Sequence, residues 1–239
     1  MTSEETIIGS CNVLDNFATP AECAALVSQI NDYRREHPVP VIERANGELP
    51  LRYAVIDGDQ IAECLPEVLS VYERTTRLVK NLWRGKVEPL SDRKVGCNVN
   101  ITHPGGSYRY HYDRNAVTAI LYLNEIEGGE TECYPDYRLS LARPNPSMLQ
   151  QRLDRVLQNR FVRSLVANQL VVRPRVGRLL IMQGNRCLHS VRPVRCQTDR
   201  LNIIMSYDRP NAQFEVADNL NTYLYTSAET TRADPNYLQ

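Results

Sequence analysis

The chain of 239 residues holds only four histidines: His37, His103, His111 and His189. His111-Tyr112-Asp113 sets an imidazole and a carboxylate two residues apart. On a strand, residues i and i+2 face the same side, so this spacing predicts that both groups point into one space. His189 follows the apolar run Leu179-Leu180-Ile181-Met182 and could supply a third donor. Two imidazoles and one carboxylate on one face suit a divalent metal of the non-heme iron(II) kind and leave three coordination positions open. An H-x-D tripeptide is short, so the weight rests on the stretch beyond His189.

The residues after His189 read Ser-Val-Arg-Pro-Val-Arg-Cys-Gln-Thr-Asp, and Arg200 then opens the apolar stretch Leu201-Asn202-Ile203-Ile204. A guanidinium is a planar fork that binds a carboxylate through two parallel hydrogen bonds. 2-Oxoglutarate chelates a metal through its keto acid end and needs a fixed cation for its distal carboxylate, and Arg200 is the candidate. Asn202, one strand step on, shares its face. His103 reads as a turn residue before Pro104-Gly105-Gly106, and His37 as a loop residue beside Pro38. Arg186 and Arg192 flank His189, while Tyr112 and Arg114 adjoin the first pair; each reads as a rim packing or salt-bridge residue or as a contact to an anionic substrate group.

Three segments carry a family resemblance. They are Asn98 to Asp113 (NVNITHPGGSYRYHYD), Thr118-Ala-Ile-Leu-Tyr122-Leu-Asn124 with Glu127-Gly-Gly-Glu-Thr131, and Gly177 to Ile204. In order and character, over roughly residues 93–208, they resemble the 2-oxoglutarate and Fe(II)-dependent dioxygenase superfamily in its prolyl-4-hydroxylase-like branch. The resemblance implies that His111, Asp113 and His189 hold iron and that Arg200 binds 2-oxoglutarate. It places Tyr122, Asn98 and Tyr108 beside the cosubstrate, with Thr131 as a further candidate. It also implies Fe(II), 2-oxoglutarate and dioxygen as cofactors and cosubstrates, with ascorbate as an accessory reductant. Asp113 stands where related halogenases have a small residue, which favours hydroxylation. Arg200 stands where collagen-type prolyl hydroxylases carry lysine, which points away from protein-prolyl hydroxylation. The expected activity is hydroxylation of an unactivated C–H bond in a small molecule, an amino acid or natural-product intermediate, giving succinate and CO2. A peptide or protein side-chain hydroxylase is the alternative, and a non-catalytic jelly-roll binding protein the third; desaturation or ring formation stays open.

The elements that must position these residues are legible in part. Thr19-Pro20-Ala21-Glu22 predicts a capped helix start, with Cys23, Leu26, Val27, Ile30 and Tyr33 at helical spacing up to His37-Pro38. Leu51–Ile56 predicts a strand, and a second helix is expected from Leu65-Pro66 through Leu82. From Arg93 short β-type runs take over: Val95–Thr102, Val117–Leu123, Leu170–Arg173, Arg178–Met182, His189–Val194 and Leu201–Tyr207. Gly128-Gly129 reads as a hairpin turn. Asn145-Pro146-Ser147 would start a helix running to about Ala167, with Leu149, Leu153, Val156, Leu157, Phe161 and Leu165 as its apolar stripe. That helix is read either as packed on the barrel or as a lid over its mouth. The fold expected is mainly β with supporting α-helices around a double-stranded β-helix (jelly-roll, cupin-like) core. It is read as one domain: residues 1–92 as N-terminal helical support, 93–208 as the core with a helical insertion at 139–168, and 209–239 as a C-terminal tail with Tyr223, Tyr225 and Tyr237 as anchors.

Composition narrows the partners. Lys plus Arg number 28 and Asp plus Glu number 28, so nothing argues for bulk binding to nucleic acid or a membrane surface. No apolar run approaches the roughly 20 residues that span a bilayer, and the start MTSEETIIGS has no signal-sequence pattern. A cytoplasmic protein acting on a small molecule is expected, with its oligomeric state open. Seven cysteines stand with no C-x-x-C spacing, so scattered reduced thiols are expected rather than a disulfide framework or structural zinc site.

Overall fold

The computed structural model describes residues 5–8, 10–44, 50–84, 86–139, 148–166 and 168–212. Its strands are β1 (Glu5–Ile8), β2 (Cys11–Leu14), β3 (Ile42–Arg44), β4 (Leu51–Ile56), β5 (Glu88–Pro89), β6 (Cys97–Thr102) and β7 (Tyr108–His111), followed by β8 (Val117–Tyr122), β9 (Thr131–Tyr134), β10 (Leu170–Val172), β11 (Leu179–Met182), β12 (Leu188–Val191) and β13 (Arg200–Asp208). Its helices are α1 (Pro20–Glu36), α2 (Gly58–Cys64), α3 (Pro66–Leu82), α4 (Arg93–Gly96), α5 (Met148–Gln158) and α6 (Arg160–Val166). Among the described residues the strands form two sheets. The large one runs β1-β2-β11-β8-β13-β6-β4-β3 with β5 against β13, and the small one runs β10-β9-β12-β7.

Period-two alternation explains why the large sheet is covered on both sides. In β6, Cys97, Val99 and Ile101 alternate with Asn98, Asn100 and Thr102, yet every residue of the strand is buried. In β13, Leu201, Ile203 and Met205 alternate with Arg200, Asn202 and Ile204 in matching register. The apolar set joins Ala119 and Leu121 of β8 and packs against Leu26 and Ile30 of α1 and Val68, Val71 and Val79 of α3. The alternate set turns toward the small sheet, as the bond between Tyr122 Oη and Thr131 Oγ1 at 2.7 Å shows. Buried polar groups on that inner face need partners, which makes it the place for a ligand.

Residues 1–92 supply strands to the large sheet as well as helices. β2 pairs with β11, and β4, at the limits expected from the sequence, pairs with β6. α1 starts as its sequence predicts. Thr19 Oγ1 accepts from the Glu22 amide at 3.1 Å, and the Glu22 carboxylate accepts from the Thr19 amide at 2.8 Å. Such a cap stabilises a helix by about 1 kcal/mol.

Two local expectations are corrected. Gly128-Gly129 is not a hairpin turn, because β8 and β9 lie in different sheets. The glycines steer a crossover instead. Gly128 has φ +78°, and a Cβ there would lie 2.3 Å from the Pro193 carbonyl oxygen. The insertion is two helices rather than one, with Asn159 between α5 and α6; its expected start at 145–147 lies outside the described residues. Leu153, Leu157 and Val162 pack on Tyr110, Tyr112, Tyr134, Tyr137 and Leu188. On their strands Tyr110, Tyr134 and Leu188 alternate with His111, Cys133 and His189, so α5 and α6 cover the outer face of the small sheet. The packed-on-barrel reading holds for the described part, and the lid reading does not. Leu149, Val156 and Phe161 of the expected stripe are 58%, 56% and 77% exposed. The tail beyond residue 212, with its three tyrosines, lies outside the described residues. No helix among the described residues is long and apolar enough to cross a membrane.

Candidate active site

One row of residues crosses the inner face of the small sheet. His111 on β7 stands opposite His189 on β12, and His189 stands opposite Cys133 on β9. β7 carries one extra residue between the pairs His111–His189 and Tyr108–Val191. This bulge lets Tyr108 and His111, three residues apart, both turn inward.

Asp113 reaches the histidines differently from the sequence expectation. β7 ends at His111, so Asp113 stands on the turn beyond and not on the strand. Its amide donates to the Gly184 carbonyl at 3.0 Å, which holds the turn against the loop after β11. Asp113 Oδ1 lies 3.6 Å from His111 Nε2 and 3.4 Å from His189 Nε2. Cis ligand atoms about 2.1 Å from one metal ion lie about 3.0 Å apart, so the two carboxylate–imidazole separations meet that spacing after shifts of a few tenths of an ångström, and all three donor atoms lie within 4.8 Å of one another.

The ring orientations suit metal binding. His111 Nδ1 faces the Arg109 carbonyl at 2.7 Å, and His189 Nδ1 faces the Cys187 carbonyl at 3.0 Å. A carbonyl only accepts, so each Nδ1 carries the proton and each Nε2 keeps its lone pair for a metal. The carboxylate is held too. Thr118 Oγ1 donates to Asp113 Oδ2 at 2.5 Å, leaving Oδ1 toward the imidazoles. A Cβ at Gly184 would sit 2.6 Å from Asp113 Oδ2 and 2.8 Å from Thr118 Oγ1, so only glycine leaves room for this pair. Burial opposes ionisation of Asp113, but the neighbouring imidazoles of His189 and His111 outweigh it and hold the carboxyl well below its usual range. For His189 burial disfavours the charged form, and Asp113 reverses the direction and raises it. Two lone pairs and one anion on one face are the donor set of a divalent metal site.

Arg200 begins β13 on the same inner face and is 2% exposed. Its Nη2 donates to Thr131 Oγ1 at 3.1 Å, and with the Asn202 amide turned to its satisfied orientation Nη1 donates to that side-chain oxygen at 2.5 Å. Its Nε has no partner. Among the described residues no carboxylate forms an ion pair with it, and burial lowers its pKa from the ordinary value. A buried guanidinium held only by neutral groups is costly, so an anionic ligand would complete its environment.

Tyr122 stands beside Arg200, whose guanidinium carbon lies 5.2 Å from the ring centroid. Tyr108 joins the same wall: its hydroxyl accepts from Asn100 Nδ2 at 2.8 Å. Asn98 occupies the inner face further along β6, opposite Ile204, while Arg200 stands opposite Thr102. Thus Tyr122 and Tyr108 cluster with Arg200, and Asn98 is displaced from it along the sheet. Arg192 and Arg186 pair with Glu132 at 2.6 Å and Asp136 at 3.3 Å, which fits the rim salt-bridge reading. His103 bonds Asp199 at 2.8 Å, beside Arg200 in the chain, and His37 stacks on Tyr33; neither joins the cluster of His111, Asp113 and His189. Sequence reasoning missed Thr118 and Gly184, which carry no motif of their own. It also missed that Cys11, Cys133 and Cys187 converge, contrary to the expectation of scattered thiols.

Comparison with known proteins places the fold. Residues 97–207 match the profile of the 2OG-Fe(II) oxygenase superfamily. The non-heme alpha-ketoglutarate-dependent epimerase SnoN from nogalamycin biosynthesis superposes with a TM-score of 0.65 at 16% identity, covering 95% of this chain and 88% of that one. A Pseudomonas putida prolyl-4-hydroxylase superposes at 0.54 and 19% identity, covering 85% and 94%. HygX from Streptomyces hygroscopicus, solved with nickel and 2-oxoglutarate, superposes at 0.56 and 14% identity, covering 88% and 89%. No curated protein sequence matches the chain.

Proposed function

We propose that this 2-oxoglutarate-dependent dioxygenase, related over residues 97–207 to the 2OG-Fe(II) oxygenase superfamily, holds iron(II) with His111, Asp113 and His189 and hydroxylates an unactivated C–H bond of a small molecule. The observation that carries this reading is the pairing of the three-donor cluster with a buried Arg200 that has no carboxylate partner among the described residues. Bound iron(II) supplies the oxidising chemistry, in which 2-oxoglutarate and dioxygen yield succinate, CO2 and a hydroxylated product. The protein's own part is geometry. Arg200 receives the distal carboxylate of 2-oxoglutarate as a two-point fork, and Thr131 and Asn202 aim that fork. Tyr122 and Tyr108 wall the pocket. Burial keeps both tyrosines protonated, pushing their pKa values upward, so they stay neutral hydrogen-bonding groups beside an anion. Ile120, Leu180 and Met182 line the apolar neighbourhood, which excludes water and strengthens each charge interaction.

The small-molecule reading draws support from extent of fit: SnoN, an epimerase of nogalamycin biosynthesis, covers 95% of this chain, against 85% for the P. putida prolyl-4-hydroxylase. A peptide or protein side-chain hydroxylase is the second reading, favoured by the 19% identity to that hydroxylase. The deciding experiment measures succinate release with iron(II), 2-oxoglutarate and ascorbate against two panels, one of amino acids and natural-product intermediates and one of peptides. Substrate-dependent succinate from the first panel is expected; turnover confined to peptides overturns the small-molecule reading.

A further inference from the structure

Cys11, Cys133 and Cys187 come from β2 in the large sheet, β9 in the small sheet and the turn before β12. All three are 0% exposed, and their sulfurs lie within 4.8 Å of one another. We propose that these three thiols are a second metal site, which takes a closed-shell thiophilic cation, zinc or cuprous copper, by three-sulfur coordination between the two sheets.

The argument starts from spacing. Cys11 Sγ and Cys187 Sγ lie 3.6 Å apart. Three sulfurs bound to one ion at about 2.3 Å stand about 3.8 to 4.0 Å from each other, whereas a disulfide needs about 2.05 Å. The observed separation is within a few tenths of an ångström of the first. The surroundings select the same class of ion. Ile120, Val172, Leu180 and Met182 share the cluster, so the apolar part of the wall offers no competing oxygen donor, and His189 stands opposite Cys133 on the neighbouring strand. Thiolate sulfur in such a setting selects soft and borderline cations over magnesium, calcium or manganese. The donors also come together only in the folded chain: Cys11 and Cys187 are 176 positions apart. An ion there therefore binds the folded state and staples the two sheets. The site is chemically distinct from the His111, Asp113 and His189 cluster, whose donors are nitrogen and oxygen, although Cys187 touches both: its carbonyl orients His189.

The test is sulfur X-ray absorption and metal analysis on the full-length protein, purified anaerobically and offered zinc(II) or cuprous ion in separate arms after nickel(II) has filled the nitrogen and oxygen site. Cadmium(II) is a third arm, read by its thiolate charge-transfer absorbance. One sulfur-ligated ion per chain is expected in at least one arm, and the arm that retains it after gel filtration names the cation. Cys133→Ser should lower retention at least tenfold, while Cys64→Ser, which changes an exposed thiol, should leave it unchanged. If Cys133→Ser does not fold, Cys11→Ser and Cys187→Ser serve in its place. Absence of metal–sulfur coordination in all three arms overturns the proposal. So does loss of the signal in Cys64→Ser, or a Cys11–Cys187 disulfide in the protein as purified.

Discussion

The Thr118 hydroxyl donates to Asp113 Oδ2 at 2.5 Å and so decides which oxygen of that carboxylate meets the two histidines. Thr118 lies on β8 of the large sheet and Asp113 on the turn after β7 of the small one, so this bond fixes one sheet's ligand against the other sheet's framework. Groups that orient ligands in this way typically contribute 10–100-fold to metal affinity. Thr118→Val should therefore weaken iron(II) retention roughly tenfold or more, while Thr118→Ser restores it. Competition with a chelator, followed by circular dichroism to check folding, measures this; equal retention in Thr118→Val removes the role.

Gly184 faces the same pair. Gly184→Ala would place a methyl 2.6 Å from Asp113 Oδ2. We expect a folded protein with little iron affinity and little turnover. A variant with wild-type activity would mean that the turn moves aside freely.

Asp113→Ala leaves two imidazoles and no anion. It should abolish succinate formation, and chelation of the wild-type protein should do the same reversibly, with activity returning on addition of iron(II). Unchanged turnover in Asp113→Ala would remove the three-residue cluster from the mechanism.

Arg200→Lys keeps a charge but loses the fork. With each charge-assisted hydrogen bond contributing about 1.5–3 kcal/mol, the 2-oxoglutarate KM should rise about 10- to 100-fold, and more in Arg200→Ala. The substrate KM should move far less; a change confined to it would place Arg200 at the substrate instead.

Asp199 links His103 and Arg34 beside Arg200. Burial opposes its ionisation, but the bond to His103 and the charges of His103 and Arg34 outweigh it, so its pKa falls below the ordinary 3.8. A depressed folded value means stability present above the unfolded pKa and lost as pH falls through the folded one. Asp199→Asn should thus cost stability at neutral pH, and the gap from wild type should close in acid below pH 3.8. Urea unfolding across a pH series reads the gap directly.

Residue types and short-range spacing carried much of this protein. His111, Asp113, His189 and Arg200 were legible as candidates because the proposed metal–cosubstrate site needs those donor types, and Thr19-Pro20-Ala21-Glu22 because a capping box is local. The run Val95–Thr102 was readable as a β-strand, while the two faces of that strand, Asn98, Asn100 and Thr102 against Cys97, Val99 and Ile101, became evident only in the sheet. What the sequence did not disclose depended on which segments meet. Gly128-Gly129 looked like a hairpin because turn chemistry is the same whether the next strand pairs back or crosses to another sheet. The stripe on residues 148–166 was readable as apolar, but its partner was not, and packing on Tyr110, Tyr112 and Leu188 put it behind the small sheet instead of over the mouth. Thr118, Gly184 and the trio Cys11, Cys133 and Cys187 act through contacts between positions far apart in the chain, which only sheet pairing brings together. The sequence by itself thus determined the candidate donor atoms and most of the strands around them, since these follow from side-chain chemistry and backbone period. The tertiary structure decided which oxygen of Asp113 faces the histidines, what surrounds Arg200 and where three distant sulfurs converge, because those depend on the register and stacking of two sheets.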